Sequence, residues 1–133
     1  MKLDFDQAGS VPTISYYSEN GIVIGAQTME VPFIACGEEL LTDNLPQKIT
    51  ELSESHIDSI IGHKIDIIIL GTGRQQIFPD AAILLPALKH GVGVEVMETG
   101  AACRCYNVLV GESRSVAGLF FPLLWWPRLP VTS

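Results

Sequence analysis

The first third of the chain is patterned like β-strands separated by turns. The stretch ISYYSENGIVIG places Asn20-Gly21 between two runs rich in Ile, Val and Tyr, which is the strongest short signal for a β-hairpin. A further strand-like run, MEVPFIAC, contains Pro32, which cannot donate to a sheet and therefore favours an edge or a bulge. The next stretch, GEELLTDNLPQKITEL, is typical of a surface connection.

From Ser53 the apolar positions follow a helical spacing instead. Three isoleucines fall on one face between Ser53, a plausible N-cap, and Gly62, a plausible end, so we predict a short helix. The stretch FPDAAILLPALKHG predicts a second helix that ends at Gly91. Proline inside a helix removes one hydrogen bond, and we therefore expect a short first turn and a restart near Pro86.

The remaining pattern predicts alternating strands and helices. DIIILGTG is typical of a strand buried on both faces, VGVEVM of a second central strand, and SVAGLFFPLL of a last strand, with a third helix over Thr99–Gly111. This order indicates βαβ crossovers. We predict one α/β domain over residues 1–133, with a core at about 12–122 and a carboxy-terminal tail at 123–133.

Composition narrows the classes of function. The chain has 133 residues, a formal charge of −7 and no basic stripe, which makes a nucleic-acid partner unexpected. The longest apolar stretch, residues 116–126, is shorter than the roughly 20 residues that span a bilayer, and Asp4 and Asp6 interrupt any signal-peptide core. We therefore expect a soluble, cytoplasmic protein with no membrane insertion. Three cysteines and scattered histidines predict reduced thiols and no metal site.

The two cysteines of METGAACRCYNVLVGE lie on different sides of the predicted third helix. At 100° per residue, Cys103 shares a face with Tyr106, whereas Cys105 lies about 160° away from Cys103, so the two sulfurs cannot bind one metal ion. Cys103 is interpreted as a small buried apolar residue. The alternative is a thiolate stabilised in the first turn of the helix, which would support thiol redox chemistry.

Two loops are predicted to meet at the carboxyl ends of the strands, where open α/β sheets bind ligands. GTGRQQ is read as a tight turn or, as the alternative, a phosphate cradle; it lacks the complete pattern of either glycine-rich motif. We expect Glu95 to be partly buried and paired with Arg74, Arg104 or Arg114, or else to be a catalytic acid. The predicted crevice residues are Gly71, Thr72, Gly73, Arg74, Glu95, Thr99, Cys103, Arg104 and Asn107.

The carboxy-terminal tail provides a second candidate surface. Its large apolar side chains either form a patch for self-association or a protein partner, or pack back over the hairpin layer. The predicted patch consists of Phe120, Phe121, Leu124, Trp125 and Trp126.

The ordered set GTG, FP, GVGVEVM, T-x-AAC-R-x-YN and E-x-R-x-VA resembles a family of small domains. That family includes a mitochondrial complex I assembly factor and an adipogenesis-associated protein, together with uncharacterised bacterial and archaeal members. The match covers roughly residues 12–122. The resemblance implies a three-layer fold with a mixed central sheet, helices on one side and hairpin structure on the other. It implies no established activity or cofactor, and action through protein contacts.

Our leading hypothesis is therefore a non-enzymatic interaction or assembly module with a protein partner, which by resemblance belongs to the assembly machinery of a membrane complex. Homo-oligomerisation stays open. The alternative is a small-molecule or anion-binding enzyme or binder that uses the crevice between GTGR and METGAACR. No cofactor, metal or catalytic residue is predicted.

Overall fold

The computed structural model describes residues 11–123, which form a three-stranded and a five-stranded sheet with three α-helices. The strands are β1 (Ile14–Ser18), β2 (Gly21–Ile24), β3 (Gln27–Met29), β4 (Phe33–Cys36), β5 (Glu39–Leu41), β6 (Ile67–Gly71), β7 (Gly93–Met97) and β8 (Val116–Phe120). The α-helices are α1 (Glu54–Ile61), α2 (Leu85–Lys89) and α3 (Thr99–Gly111). Short 3-10 turns cover Ile49–Glu51 and Ala81–Leu84.

The larger sheet is mixed and lies in the centre of the fold. Its strand order is β5-β4-β8-β6-β7, with β6 parallel to β7 and β8, and β4 antiparallel to β5 and β8. The smaller sheet is the antiparallel meander β1-β2-β3. The predicted hairpin is present, but its two-residue turn is Glu19-Asn20, one residue before the predicted Asn20-Gly21 pair, because Gly21 already pairs with Ser18 as the first residue of β2. The predicted α/β class, with a mixed central sheet and a separate hairpin layer, is confirmed.

Successive side chains of the central strands point to opposite faces of the larger sheet, so the interior is divided into two cores. In β8, Leu119 faces a core built with α1 and α2, whereas Phe120 faces a second core built with α3 and the hairpin sheet. The neighbouring residues Ile68 and Ile69 of β6 divide in the same way. The helices therefore cover both faces, and α3 shares a face with the hairpin layer, where the resemblance had implied that all helices lie on the other side.

Local signals in the sequence set the helix boundaries. Ser53 precedes α1 and Gly62 follows it, as predicted, and the Ser53 amide donates to Nδ1 of His56 at 2.9 Å. The second helical segment begins as a 3-10 turn and restarts as α2, in which Pro86 occupies the first turn, where its missing amide hydrogen does no harm. His90 closes α2 through a 2.9 Å contact between Nδ1 and the Pro86 carbonyl.

Two predictions about strands are wrong in detail. Pro32 separates β3 from β4, so the run MEVPFIAC belongs to two sheets rather than to one strand. The stretch predicted as a surface connection begins with β5, which pairs with β4 through the two-residue turn Gly37-Glu38. The sequence analysis missed β5 because a strand of three residues is too short to show an alternation of apolar and polar side chains.

Candidate functional site

Of the predicted crevice residues, Gly71 and Gly73 contact Thr99 at the carboxyl ends of the parallel strands, and Thr99 makes most of the hydrogen bonds there. Its hydroxyl accepts a hydrogen bond from the Gly73 amide at 2.7 Å and donates to the Phe121 carbonyl at 2.6 Å. The Thr99 amide donates to the Gly73 carbonyl at 2.8 Å. Thr99 is fully buried, so this residue joins the ends of β6 and β8 to the start of α3 and presents no group to a ligand.

Gly71 explains why the contact is so close. A Cβ atom at this position would lie 2.9 Å from Cβ of Ala102 and 3.1 Å from Oγ1 of Thr99. Only a residue without a side chain lets β6 approach α3 at this distance. The first glycine of GTGR therefore has a packing role.

The rest of the GTGRQQ loop is folded back on itself. The Thr72 hydroxyl donates to the Gln75 carbonyl and accepts from the Ile77 amide at 3.0 Å. The Gln76 side chain donates to the Val96 carbonyl at 2.9 Å. The side chains of Thr72 and Gln76 thus bind backbone atoms of the protein, which favours the turn interpretation over the phosphate cradle.

The amino end of α3 is occupied by a side chain of the same protein. One carboxylate oxygen of Glu98 accepts from the Gly100 amide at 2.7 Å, and the other accepts from the Ala101 amide at 2.9 Å. The Ala102 amide donates to the Glu98 carbonyl at 2.9 Å. An anion bound at a helix amino terminus would need these amides, so Glu98 already fills the position that the ligand-binding alternative requires.

Cys103 lies beneath this end of α3 with 1% of its surface exposed. Burial and the nearby Glu98 carboxylate raise the pKa of its thiol to about 12, against a smaller opposing effect of Arg104. Burial also raises the pKa of Cys105, which is half-buried on the other side of the helix. A reactive thiol needs a lowered pKa, and both shifts therefore oppose the thiol redox alternative. The core-face interpretation of Cys103 agrees with its burial.

Arg74 and Arg104 extend from the closed crevice to the surface. Arg74 forms an ion pair with Glu19 in the β1–β2 turn. Arg104 donates to the Tyr17 hydroxyl and lies 3.8 Å from a carboxylate oxygen of Glu98. These exposed contacts connect the hairpin layer to α3, and pairs of this kind contribute about 0 to 1 kcal/mol each.

Glu95 and Asn107 do not belong to the crevice. Glu95 is exposed because β7 is an edge strand and not a central one, and no arginine within residues 11–123 pairs with it. The side chain of Asn107 binds both backbone groups of Ile14 in β1, accepting from the amide at 2.8 Å and donating to the carbonyl at 2.7 Å. The prediction for Glu95 failed because it depended on strand order, and the prediction for Asn107 failed because that residue lies two turns along α3, where it contacts β1.

The predicted apolar patch is also divided. Phe120 and Phe121 are buried in the two cores, with 0% and 2% of their surface exposed, so they are not available to a partner. Leu124, Trp125 and Trp126 lie outside the described residues. Of the six large apolar side chains that residues 11–123 expose, three fall in one short stretch, namely Phe78, Leu85 and Leu88.

Two grooves lie away from the predicted site. One, of about 870 Å³, lies at the amino ends of β6 and β8, and Cys36, His63, Lys64 and Arg114 are among its lining residues. The other, of about 430 Å³, lies between β3 and β5. Neither groove could be predicted from a local pattern, because each is formed by segments far apart in the chain. Among residues 11–123, no three His, Cys, Asp or Glu side chains are grouped so that they could hold a metal ion.

Sequence reasoning also missed Glu98 and Tyr17. An acidic residue directly before a predicted helix is a signal for a favourable charge at the amino end, and it would have identified Glu98. The contact of Tyr17 with Arg104 spans 87 positions, and no local pattern indicates it.

These features define a small three-layer α/β domain in which the motif residues hold the layers together. The chain belongs to the family described as protein of unknown function (DUF498/DUF598), whose sequence profile matches residues 14–121. This confirms the resemblance found in the sequence motifs.

Two named proteins and one solved structure are similar to this chain. The 13 kDa major membrane protein of Francisella tularensis subsp. holarctica is 38% identical over 69 residues, which cover 52% of this chain and 56% of that protein. The NADH dehydrogenase [ubiquinone] 1 alpha subcomplex assembly factor 3 of Xenopus tropicalis is 29% identical over 119 residues, which cover 89% of this chain and 65% of that protein. A crystal structure from Bordetella parapertussis has a TM-score of 0.80 at 27% identity, covering 86% of this chain and 98% of that one.

The chain thus spans between 56% and 65% of the length of these two curated relatives. Within residues 11–123, no helix has the length and apolar character needed to cross a bilayer.

Proposed function

We propose that this chain is a non-enzymatic protein-docking module that acts in the manner of an assembly factor. The observation that carries the proposal is the occupation of the α3 amino end by Glu98, which leaves no free backbone amide for an anion in the first turn of that helix. With the motif residues engaged in internal contacts, the outer surface is the part available for function. The similarity to subcomplex assembly factor 3 over 119 residues supports a protein as the partner.

Three exposed apolar side chains support a docking role, namely Phe78 in the loop after β6 and Leu85 and Leu88 in α2, which together are called the β6–α2 surface. Phe78 exposes 68% and Leu88 exposes 73% of its surface. Leu85 lies one helical turn before Leu88 and is also exposed. Exposed apolar groups of this size contribute to binding when a partner removes them from water. We propose that the partner is a subunit of a membrane-associated complex during its assembly.

The test is recovery of that partner by the full chain in its own cells. The tagged chain is crosslinked in intact cells, purified, and its attached proteins are identified by mass spectrometry. Phe78→Ser combined with Leu88→Ser is expected to reduce recovery about tenfold, as expected for the loss of roughly 1.4 kcal/mol of binding free energy. Val108→Ser removes an apolar side chain on α3 that exposes 58% of its surface and serves as the control.

The same experiment tests the predicted tail patch. A chain that lacks residues 124–133 is expected to recover less of the partner than the full chain, in accordance with the patch prediction for Leu124, Trp125 and Trp126. If the full chain recovers no specific protein that the untagged control lacks, the docking proposal is wrong. If the Val108→Ser chain and the Phe78→Ser/Leu88→Ser chain recover equal amounts of the partner, the β6–α2 surface does not take part in docking.

A further inference from the structure

We infer that the groove between β3 and β5 binds an extended, basic segment of a partner protein, which adds a strand to the free edge of β5. This inference rests on the proposed docking function and names one surface and one kind of partner for it. The groove measures about 430 Å³. Gln27 and Met29 line it from β3, and Glu38 and Leu40 line it from the β4–β5 hairpin.

The two sheets have four edge strands, and these differ in whether a side chain hydrogen-bonds their free backbone groups. At the β1 edge, the Asn107 side chain binds both backbone groups of Ile14. At the β7 edge, the Gln76 side chain binds the Val96 carbonyl. No such side-chain contact within residues 11–123 occupies β3 or β5, and these two edges border the same groove. An unprotected edge is a template for strand addition.

Hairpin geometry directs the backbone groups of Leu40 outward. Cys36 and Glu39 flank a two-residue turn and form the hydrogen-bonded pair, whereas the next pair, Ala35 and Leu40, is not hydrogen-bonded. The amide and carbonyl of Leu40 therefore point to the free edge of β5. Since Leu40 also lines the groove, a segment lying there is within reach of both groups.

The lining of the groove sets the chemistry of the segment. Pro12, Ile24, Met29 and Leu40 give it an apolar floor, and no lysine or arginine among residues 11–123 lines it. Acidic residues flank β5 on both sides, with Glu38 and Glu39 at its start and Asp43 shortly after its end. A strand that alternates basic and apolar side chains places the apolar ones on the floor and the basic ones near these carboxylates.

A second copy of the chain is a poorer occupant. Antiparallel pairing of β5 with itself would bring the acidic residues of two chains together, and each chain carries a formal charge of −7. Like charges placed opposite one another destabilise a strand pair. A partner strand with positive charge avoids this repulsion and is attracted by Glu38, Glu39 and Asp43.

The test uses a defined probe and the intact chain. A short capped peptide of alternating lysine and valine is titrated into isotope-labelled full-length protein, and backbone amide shifts and hydrogen exchange are recorded. We expect shifts at Gln27, Met29 and Leu40, and exchange at the Leu40 amide slowed by about tenfold or more at saturation. The glutamate–valine peptide and the lysine–valine peptide methylated at its pairing amides should each bind about tenfold more weakly.

Charge reversal provides a matched pair of protein variants. Glu38→Lys with Glu39→Lys is expected to weaken peptide binding by about tenfold or more. Glu54→Lys with Asp58→Lys makes the same change of net charge on exposed positions of α1 and should leave binding unchanged. Absence of peptide binding, shifts outside the groove, or equal effects of the two double variants would overturn the inference. Self-association that Glu38→Lys/Glu39→Lys abolishes would also overturn it, since the occupant would then be a second copy.

The outcome is separable from that of the proposed function. If the crosslinked partner is recovered equally by the wild-type chain and by the Glu38→Lys/Glu39→Lys chain, and the peptide does not bind, the groove assignment fails while the docking function stands. If no partner is recovered but the peptide binds as expected, the groove is correct and the proposed function is wrong.

Discussion

The side-chain amide of Asn107 binds both backbone groups of Ile14, 93 positions earlier in the chain. It replaces a neighbouring strand at the edge of β1 and fixes the hairpin layer to α3. Both contacts are partly buried, so loss of the amide leaves a donor and an acceptor without protein partners.

Asn107→Ala is therefore expected to lower the free energy of unfolding by about 1 to 3 kcal/mol. Asn107→Asp keeps the acceptor and loses the donor, and it should destabilise the protein by a comparable amount. Urea unfolding followed by circular dichroism measures both. Val108→Ala, at an exposed position of the same helix, should change stability by no more than about 0.5 kcal/mol; an effect of Asn107→Ala as small as this would show that the contact does not hold the layers together.

Glu98→Ala is expected to destabilise the protein by about 1 kcal/mol, because it removes the cap from two α3 amides. The freed amides can then donate hydrogen bonds to a bound anion. Sulfate or phosphate should therefore raise the melting temperature of this variant more than that of the wild type. Differential scanning fluorimetry across a range of phosphate concentrations gives the comparison. Glu95→Ala is the control, since that carboxylate is also exposed but caps no helix. A phosphate response of equal size in wild type and Glu98→Ala would contradict the capping role.

Gly71→Ala should destabilise the domain by roughly 1 to 3 kcal/mol, since the new Cβ meets Ala102 and Thr99 in the contact between β6 and α3. Gly111→Ala, at the end of α3 where a Cβ meets nothing within 4 Å, should be neutral or stabilise by up to about 1 kcal/mol. The two denaturation midpoints provide the measurement. Similar midpoints for both variants would be incompatible with the close approach at Gly71.

Tyr106→Phe is expected to leave stability unchanged or raise it by up to about 1 kcal/mol. The hydroxyl of Tyr106 is fully buried and has no hydrogen-bond partner among residues 11–123, so its removal eliminates a desolvated polar group. The ring contact with Phe120, at 5.5 Å between centroids, is retained. Tyr16→Phe at an exposed position is the control. A loss of more than about 1 kcal/mol in urea unfolding would reveal an interaction of the hydroxyl.

The protein should lose stability as the pH rises above about 9. The native thiol of Cys103 has its pKa raised to about 12 by burial, whereas in the unfolded chain it ionises near 9. The unfolded state therefore binds fewer protons than the native state between these values, and stability falls by up to about 1.4 kcal/mol per pH unit for each such group. Below pH 9 this contribution is fully present.

Urea unfolding at about pH 8 and about pH 10.5 measures this loss. Cys103→Ala should reduce the difference between the two conditions, while Cys105→Ala, at a half-buried position, should reduce it less. Identical pH dependence in wild type and Cys103→Ala would show that the Cys103 thiol is accessible to water in the native state.

The sequence predicted what depends on neighbouring residues. Thr99 begins α3, Pro86 marks the restart of the second helical segment, and the first hairpin turns within one residue of the predicted Asn20-Gly21 pair. Capping, proline geometry and turn preference all act over a few positions. It did not predict that β7 lies at an edge, although the charge of Glu95 in the middle of that strand is typical of an edge. Strand order depends on contacts between segments far apart in the chain.

The candidate site was predicted in the same partial way. Glycines and threonines were correctly expected to gather at the strand ends, and Cys103 was correctly placed on the core face of α3. The sequence did not show that the polar groups at this site already have hydrogen-bond partners within the protein. Those partners are the Glu98 carboxylate, which binds the first amides of α3, and distant carbonyls such as that of Phe121. Whether a polar cluster is open or closed is decided by such partners.

Strand β8 runs between the two cores, and its successive side chains enter them in turn, with Leu119 on one side and Phe120 on the other. Deleting or inserting a single residue within this strand would reverse the facing of every side chain beyond it. The side chains of β8 that now fill one core would then enter the other core. The length of this strand is therefore constrained from both faces of the sheet.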